Sequence, residues 1–286
     1  SPGTTVTIYA LQQGAPGSTP SVVWSRDDLA TDRIVAGALQ AGGLVFVGTS
    51  DNQLLALDAE SGELVWEFET RHSVWADPVF GDGVVYAASL DNFVYALDLE
   101  TGDPIWQSEL GGSIASRPVL DGEVLYVSSF DRAVHALNAS TGEELWRADA
   151  DNWVWGGPAL NEGAVYFADL DGHVYAADRS SGEILWQEQV AGAVQSAPLN
   201  VDGRLFVAAG DVAGDEEQRG GRLVAFDAES GERLWEMPAP APVFTAPAQA
   251  GDSVVIALVE GAVLRLQVFN SESGALEWTF TPPSEE

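Results

Sequence analysis

The stretch Ala56–Trp66, "ALDAESGELVW", decides the fold because it returns. It comes back as "ALDLETGDPIW" from Ala96, "ALNASTGEELW" from Ala136, "AADRSSGEILW" from Ala176, "AFDAESGERLW" from Ala225 and, more loosely, "VFNSESGALEW" from Val268. In each copy a Trp follows four residues after a Gly: Gly62, Gly102, Gly142, Gly182, Gly231 and Gly274 precede Trp66, Trp106, Trp146, Trp186, Trp235 and Trp278. With Trp24 ahead of them, the separations are 42, 40, 40, 40, 49 and 43 residues. A repeat of about 40 residues with β-rich content signals a propeller rather than a helical solenoid.

One unit, Ser113 to Arg147, shows how the repeat is built. "SIASRPVL", "EVLYVSS", "AVHALN" and "EELWRAD" read as four short strands, separated by turn signals at Asp121-Gly122, Asp131-Arg132 and Ser140-Thr141-Gly142. None has a helical period. The second strand of each unit, such as "GVVYAAS" or "AVYFADL", is almost continuously apolar, as a strand covered on both faces should be. Within the repeated phrase, Asp58, Asp98, Asn138, Asp178 and Asp227 offer a side-chain acceptor to the turn that follows. The Gly supplies positive φ, and the Trp is expected to wedge against the adjacent blade.

These features resemble the tryptophan-docking repeat of the quinoprotein (PQQ-type) β-propeller superfamily. That superfamily includes PQQ-dependent alcohol dehydrogenases and a non-catalytic lipoprotein that assists outer-membrane protein assembly. A WD-repeat propeller is the rival, but its Trp-Asp dipeptide is missing. The expectation is a single all-β domain over residues 1–286, a β-propeller of four-stranded antiparallel blades at 33–67, 73–107, 113–147, 153–187, 193–236 and 242–280. Residues 1–27 resemble only the last two strands of a unit and form a partial closing blade, with Trp24 in its last strand. Seven blade positions follow, with eight as the alternative. Either this blade has only two strands, or its other strands come from further sequence or from a partner.

Charge sets the chemistry of the surface. There are 44 Asp and Glu against 12 basic residues, all Arg, for a formal net charge of -32. Such a surface repels phosphate backbones and anionic headgroups, so nucleic acid and membrane surfaces are disfavoured as partners. It resembles the surface of halophile proteins, and equally an acidic secreted protein. No apolar run is long enough to cross a bilayer, and the first residues lack the basic and apolar regions of a signal peptide. The expectation is an extracytoplasmic protein, secreted, periplasmic or at the cell surface, whose export signal has been removed and which a lipid anchor outside this sequence would tether.

The resemblance implies a test for PQQ with Ca²⁺. The dehydrogenases carry an adjacent Cys pair, calcium ligands and an Asp base; this chain has no Cys, and no Glu, Asn and Asp set aligns to their motif. The expectation is therefore no cofactor and no catalytic residue. His135 and His173 stand in third strands, where solvent or a neighbouring strand suits them better than zinc, and they share no ligand spacing with His72. The segment "GDVAGDEEQRGG" accounts for the 49-residue separation as an insertion; its Asp211, Asp215, Glu216 and Glu217 are weak Ca²⁺ candidates without the spacing of a calcium loop.

Variable positions mark either a candidate binding funnel or a channel plugged by aromatic side chains. Aligning "RHSVWADP", "GGSIASRP", "DNWVWGGP", "AGAVQSAP" and "PAPVFTAP" shows a repeating core residue at Val74, Ile114, Val154, Val194 and Val243. The next position changes freely: Trp75, Ala115, Trp155, Gln195, Phe244. In a propeller these inner-strand entrances surround the central funnel, where Arg71, His72, Arg117 and Trp153 would also gather. The reading is a non-catalytic binding or scaffolding module for a protein, peptide or glycan. A PQQ-dependent oxidoreductase and a carbohydrate-binding or carbohydrate-cleaving propeller remain the alternatives.

Overall fold

The computed structural model describes residues 6–13, 18–29, 33–210, 220–260 and 263–282. All of its regular elements are strands. A two-stranded sheet pairs β1 (Ile8–Gln12) with β2 (Ser21–Arg26). Then come β3 (Leu39–Ala41), β4 (Leu44–Gly48), β5 (Gln53–Asp58) and β6 (Leu64–Glu69), followed by β7 (Val79–Gly81), β8 (Val84–Ala88), β9 (Phe93–Asp98) and β10 (Pro104–Glu109). The third set is β11 (Val119–Asp121), β12 (Val124–Ser129), β13 (Ala133–Asn138) and β14 (Glu144–Asp149). The fourth is β15 (Ala159–Leu160), β16 (Ala164–Ala168), β17 (His173–Asp178) and β18 (Ile184–Gln189). The fifth is β19 (Leu199–Val201), β20 (Arg204–Gly210), β21 (Gly221–Asp227) and β22 (Arg233–Ala239), and the last β23 (Ala248–Ala250), β24 (Ser253–Glu260), β25 (Val263–Asn270) and β26 (Leu276–Phe280).

Each set of four forms one sheet whose strand order follows chain order. These are the blades of a β-propeller with seven blade positions, six four-stranded and one two-stranded. The chain divides into two compact units, Ser1–Leu125 with Leu137–Glu143, and Tyr126–Ala136 with Glu144–Glu286. The cores lie between consecutive sheets. In the first unit Phe46, Leu54 and Trp66 pack with Val85, Tyr95 and Leu97; in the second, Tyr166, Val174 and Trp186 pack with Leu205, Val207 and Phe226. The middle strands, buried on both faces, are therefore largely apolar, and the outermost strands are mostly exposed.

Every residue of the repeated phrase has a place. Asp58 Oδ1 accepts the N–H groups of Glu60 and Ser61 and the Ser61 hydroxyl, and Asp98, Asp178 and Asp227 cap their turns likewise. Gly62 takes φ 73°, as Gly102, Gly142, Gly182, Gly231 and Gly274 take values of 70–76°. A Cβ on Gly62 would lie 2.6 Å from the Trp24 ring, and one on Gly102 would lie 2.6 Å from Trp66. The glycine is thus the floor on which the preceding blade's indole rests.

The indole N–H completes the joint. Trp24 donates to the carbonyl of Ala59, Trp66 to Leu99, Trp106 to Ala139, Trp146 to Arg179, Trp186 to Ala228 and Trp235 to Ser271, at 2.9–3.2 Å. Across the sheet four of the rings face a small residue, Ala56 opposite Trp66, Ala96 opposite Trp106, Ala176 opposite Trp186 and Ala225 opposite Trp235, whereas Trp278 faces Val268. A register shift next to each of these pairs lets the strand turn its ring outward. Trp278 differs from the other rings of the series in being 52% exposed.

Candidate functional site

The repeated Val or Ile of the inner-strand entrances is core in both units: Val74, Ile114, Val194 and Val243 have no exposed surface and Val154 has 1%. In the first unit, Trp75 is half-buried, and its indole N–H lies out of solvent with no hydrogen-bond partner in the protein. The Ser116 hydroxyl, one repeat on and one position along, is buried and unpartnered in the same way. Arg71 lies with its guanidinium 4.9 Å over the Phe93 ring, and its N–H donates to Asp91, which also accepts the Tyr95 phenol at 2.7 Å. Burial and the bond to Asp91 push the Tyr95 phenol upward, so it remains a donor. His72 is exposed and accepts the Ser73 N–H on Nδ1 at 2.8 Å. Arg117 is also exposed.

In the second unit, Gln195 is half-buried and Phe244 is 49% exposed. The Ser196 hydroxyl is buried without a partner, at the repeat position of Ser116. Gly156 allows close approach here, since a Cβ on it would come within 2.3–2.6 Å of the Ser196–Ala197 backbone. Trp155 is half-buried with its ring 4.9 Å from Phe130, and Trp153 stacks on the same Phe130 at 5.3 Å and 9°.

The turn that carries Trp153 is held by blade four. Asp169, fully buried, accepts the Asn152 N–H at 3.1 Å and the Tyr175 hydroxyl at 3.0 Å, together with the N–H groups of Asp171 and His173. Tyr175 in turn accepts the Asp151 N–H at 2.9 Å; burial, reinforced by the Asp169 charge, pushes its phenol well above the ordinary value. Asn152 Nδ2 donates to Asp171 at 2.9 Å, and Asn152 Oδ1 accepts the Trp153 N–H at 2.7 Å. His173 places Nδ1 3.4 Å from Asp169.

His135 faces a neighbouring strand and a turn, not solvent. It is 2% exposed, with Nδ1 2.6 Å from Glu144 and Nε2 3.1 Å from Asp131. Burial opposes its charge, but the hydrogen bonds to Asp131 and Glu144 outweigh that and hold its pKa above the ordinary value. Asp131 answers in the opposite sense: burial disfavours its charge, yet His135 and Arg147 hold it below the usual carboxylate range. Among the described residues no three His, Asp or Glu side chains are grouped to hold a metal ion. Asp211, Asp215, Glu216 and Glu217 lie outside the described residues.

Sequence reasoning missed Asp169 and Phe130, and the repeat itself carried their signal. Asp169 stands where Thr49, Ser89 and Ser129 stand in the preceding blades, and Phe130 where Ser50, Leu90 and Leu170 stand.

A PQQ site would need cations for three carboxylates and oxygen ligands for Ca²⁺. The residues present do not fit it. The first unit's entrances offer an indole, a Ser, an Arg already laid over Phe93, His72 and a single further exposed Arg, Arg117, and the second unit's offer Trp155, Gln195 and Phe244.

Comparison with known proteins agrees with the architecture. The crystal structure of BamB from Moraxella catarrhalis superposes with a TM-score of 0.76 at 20% identity, covering 98% of this chain and 91% of that one. A europium-containing methanol dehydrogenase superposes with a TM-score of 0.80 at 15% identity, covering 97% of this chain and 75% of the enzyme. At these identities both likenesses concern the fold alone. A 1-butanol dehydrogenase (quinone) from Thauera butanivorans is 52% identical over 46 residues, which span 16% of this chain and 7% of that enzyme. The family described as outer membrane protein assembly factor BamB matches residues 5–128, 91–213 and 201–286. By repeat, by blade construction and by this match along nearly its whole length, the chain belongs to that family of PQQ-type propeller repeats.

Proposed function

We propose that this chain is a non-catalytic, extracytoplasmic binding and scaffolding propeller that holds a protein partner, as befits a family described by outer-membrane protein assembly. One observation carries the reading. Trp75 Nε1, Ser116 Oγ and Ser196 Oγ are buried polar atoms without partners, all at two adjacent repeat positions of the inner-strand entrances. Leaving such a group unsatisfied costs about 1–3 kcal/mol. Other buried polar atoms without partners, such as Ser128 Oγ, Asn200 Oδ1 and Gln267 Oε1, lie within strands, so it is the recurrence at the entrances of three blades that supports recognition there. Aromatic surface beside polar groups suits a polypeptide side chain better than a tricarboxylate cofactor.

The test is capture of proteins from a cell-envelope fraction by the immobilised chain, compared with Trp75→Ala and Trp155→Ala variants. Captured partners should fall several-fold in each variant while the melting temperature stays within a few degrees of wild type. Undiminished capture by both variants refutes this assignment, and collapse of the fold in either one returns its ring to the core.

A further inference from the structure

One junction between blades departs from the others. Ser73 Oγ donates to the Ser50 carbonyl at 3.0 Å, and Ser113 Oγ donates to the Leu90 carbonyl at 2.7 Å, so two successive blade junctions are closed by a small side chain on the preceding turn. At the next junction the equivalent pair is Trp153 on Phe130. The rings stack nearly parallel, yet Trp153 keeps 47% of its surface exposed. Closing the junction does not require this, since Ser on Leu does it one blade earlier. The exposed ring is moreover fixed, because Asp169 and Tyr175 bind the N–H groups of Asn152 and Asp151 on the turn before it. A rigid aromatic face that the fold does not need is the signature of a contact surface.

The surroundings select the occupant. The residues that follow Phe130 and precede Trp153 in sequence line a cleft of about 350 Å³, formed by Asp131, Arg132, Arg147, Asp149, Ala150 and Asp151. Arg147 is engaged by Asp149 at 2.7 Å and by Asp131 at 3.3 Å, and Asp131 also faces His135. Asp149 and Asp151 remain 75% and 63% exposed, Asp151 accepting Gln187 Nε2 at 3.1 Å and lying 3.6 Å from His173 Nδ1 with its outer face open. Three carboxylates against two guanidinium groups leave the cleft negative, within a chain of net charge -32.

We propose that the Phe130–Trp153 stack and the adjoining carboxylates of Asp149 and Asp151 dock a basic, extended segment of a partner protein, an Arg or Lys side chain lying on the exposed indole with its charge toward Asp151. A cation over Trp is attracted by the ring quadrupole, and its aliphatic stem covers apolar surface at the same time. This rests on the binding-module reading and supplies the chemistry of one of its contacts.

The experiment is calorimetric titration of the intact chain with blocked tri-arginine, tri-glutamate and maltotriose at one fixed ionic strength. Saturable tri-arginine binding is expected, with none for the other two. The double variant Phe130→Leu with Trp153→Ser reproduces the Ser113–Leu90 junction and so should fold; it should weaken tri-arginine at least fivefold, and Asp151→Asn at least threefold. Val65→Ser, at an exposed position of the other unit that belongs to neither site, should leave tri-arginine unchanged. If tri-arginine binds wild type and the double variant within twofold, it is meeting the general negative surface and the proposal fails. It fails also if wild type does not saturate with tri-arginine, or if maltotriose binds and is lost in the double variant, which would make the platform a glycan site. Because envelope capture is read with Trp75→Ala and Trp155→Ala and this titration with Asp151→Asn and the Phe130→Leu, Trp153→Ser double variant, the two readings can fail separately.

Discussion

The joint between blades can be tested by asking whether Gly102 and Trp66 act as one device. Replacing Gly102 by Ala does two things. It places a Cβ on a residue with φ 74°, and it drives that Cβ to 2.6 Å from Trp66 Cδ2 and 2.7 Å from Cε3. The first effect costs about 1–2 kcal/mol, and the overpacking adds about 1–3 kcal/mol. Gly83 separates the two, because its φ is 79° but nothing lies within 4 Å of its Cβ position. Gly83→Ala should therefore show the backbone cost alone. Trp66→Ala removes a ring that is 8% exposed and leaves a cavity, worth about 3–5 kcal/mol. In the Trp66→Ala background the new methyl meets no ring, so Gly102→Ala should there cost only about what Gly83→Ala costs, a coupling of about 1–3 kcal/mol. The assay is urea unfolding of wild type, the three single variants and the double variant. Additive single-variant costs for Gly102→Ala and Trp66→Ala, or equal costs for Gly102→Ala and Gly83→Ala, would refute the claim that this glycine is the floor under the indole.

Further outcomes follow from charge. With net charge -32, added salt screens carboxylate repulsion, so the unfolding midpoint should rise from low to molar NaCl; a flat response denies the acidic surface any role in stability. His135 has a raised pKa in the fold, so its contribution is full below the unfolded value of about 6.5 and is lost as pH rises through the folded value. Asp131, held low, contributes above about pH 4 and loses this as pH falls through its folded value. The unfolding midpoint of wild type should thus decline, as pH rises above about 6.5, more steeply than that of His135→Gln, and a midpoint for His135 by NMR at or below the ordinary value contradicts the pairing.

Much of this was legible because the repeat compares the chain with itself. Glycine spacing, turn acids and tryptophan period are local and recur, so one reading of Ala56–Trp66 served six blades. The two-stranded first sheet was legible too, since "IYALQ" and "VVWSR" match the last two strands of a unit. The site was less so. Trp75, Trp153 and Trp155 stand out as tryptophans off the period, but Phe130 and Asp169 lie on turns between second and third strands, and both act on the turn that joins blade three to blade four. Their partners are separated from them by 23 and 17 residues, Phe130 from Trp153 and Asp169 from Asn152, with no motif to join them. The burial of His135 was hidden for a similar reason, because Glu144 reaches it from the neighbouring strand.

The central claim is that a PQQ-type propeller repeat here serves recognition and not oxidation. The most direct measurement is equilibrium titration of the purified chain with PQQ and Ca²⁺, followed by dye-linked oxidation of a primary alcohol by the mixture. The account predicts no saturable PQQ uptake and no turnover above the cofactor alone, because the entrances offer Trp75, Trp155, Gln195 and Phe244 rather than converging cations. Stoichiometric binding of PQQ with alcohol-dependent dye reduction would contradict it.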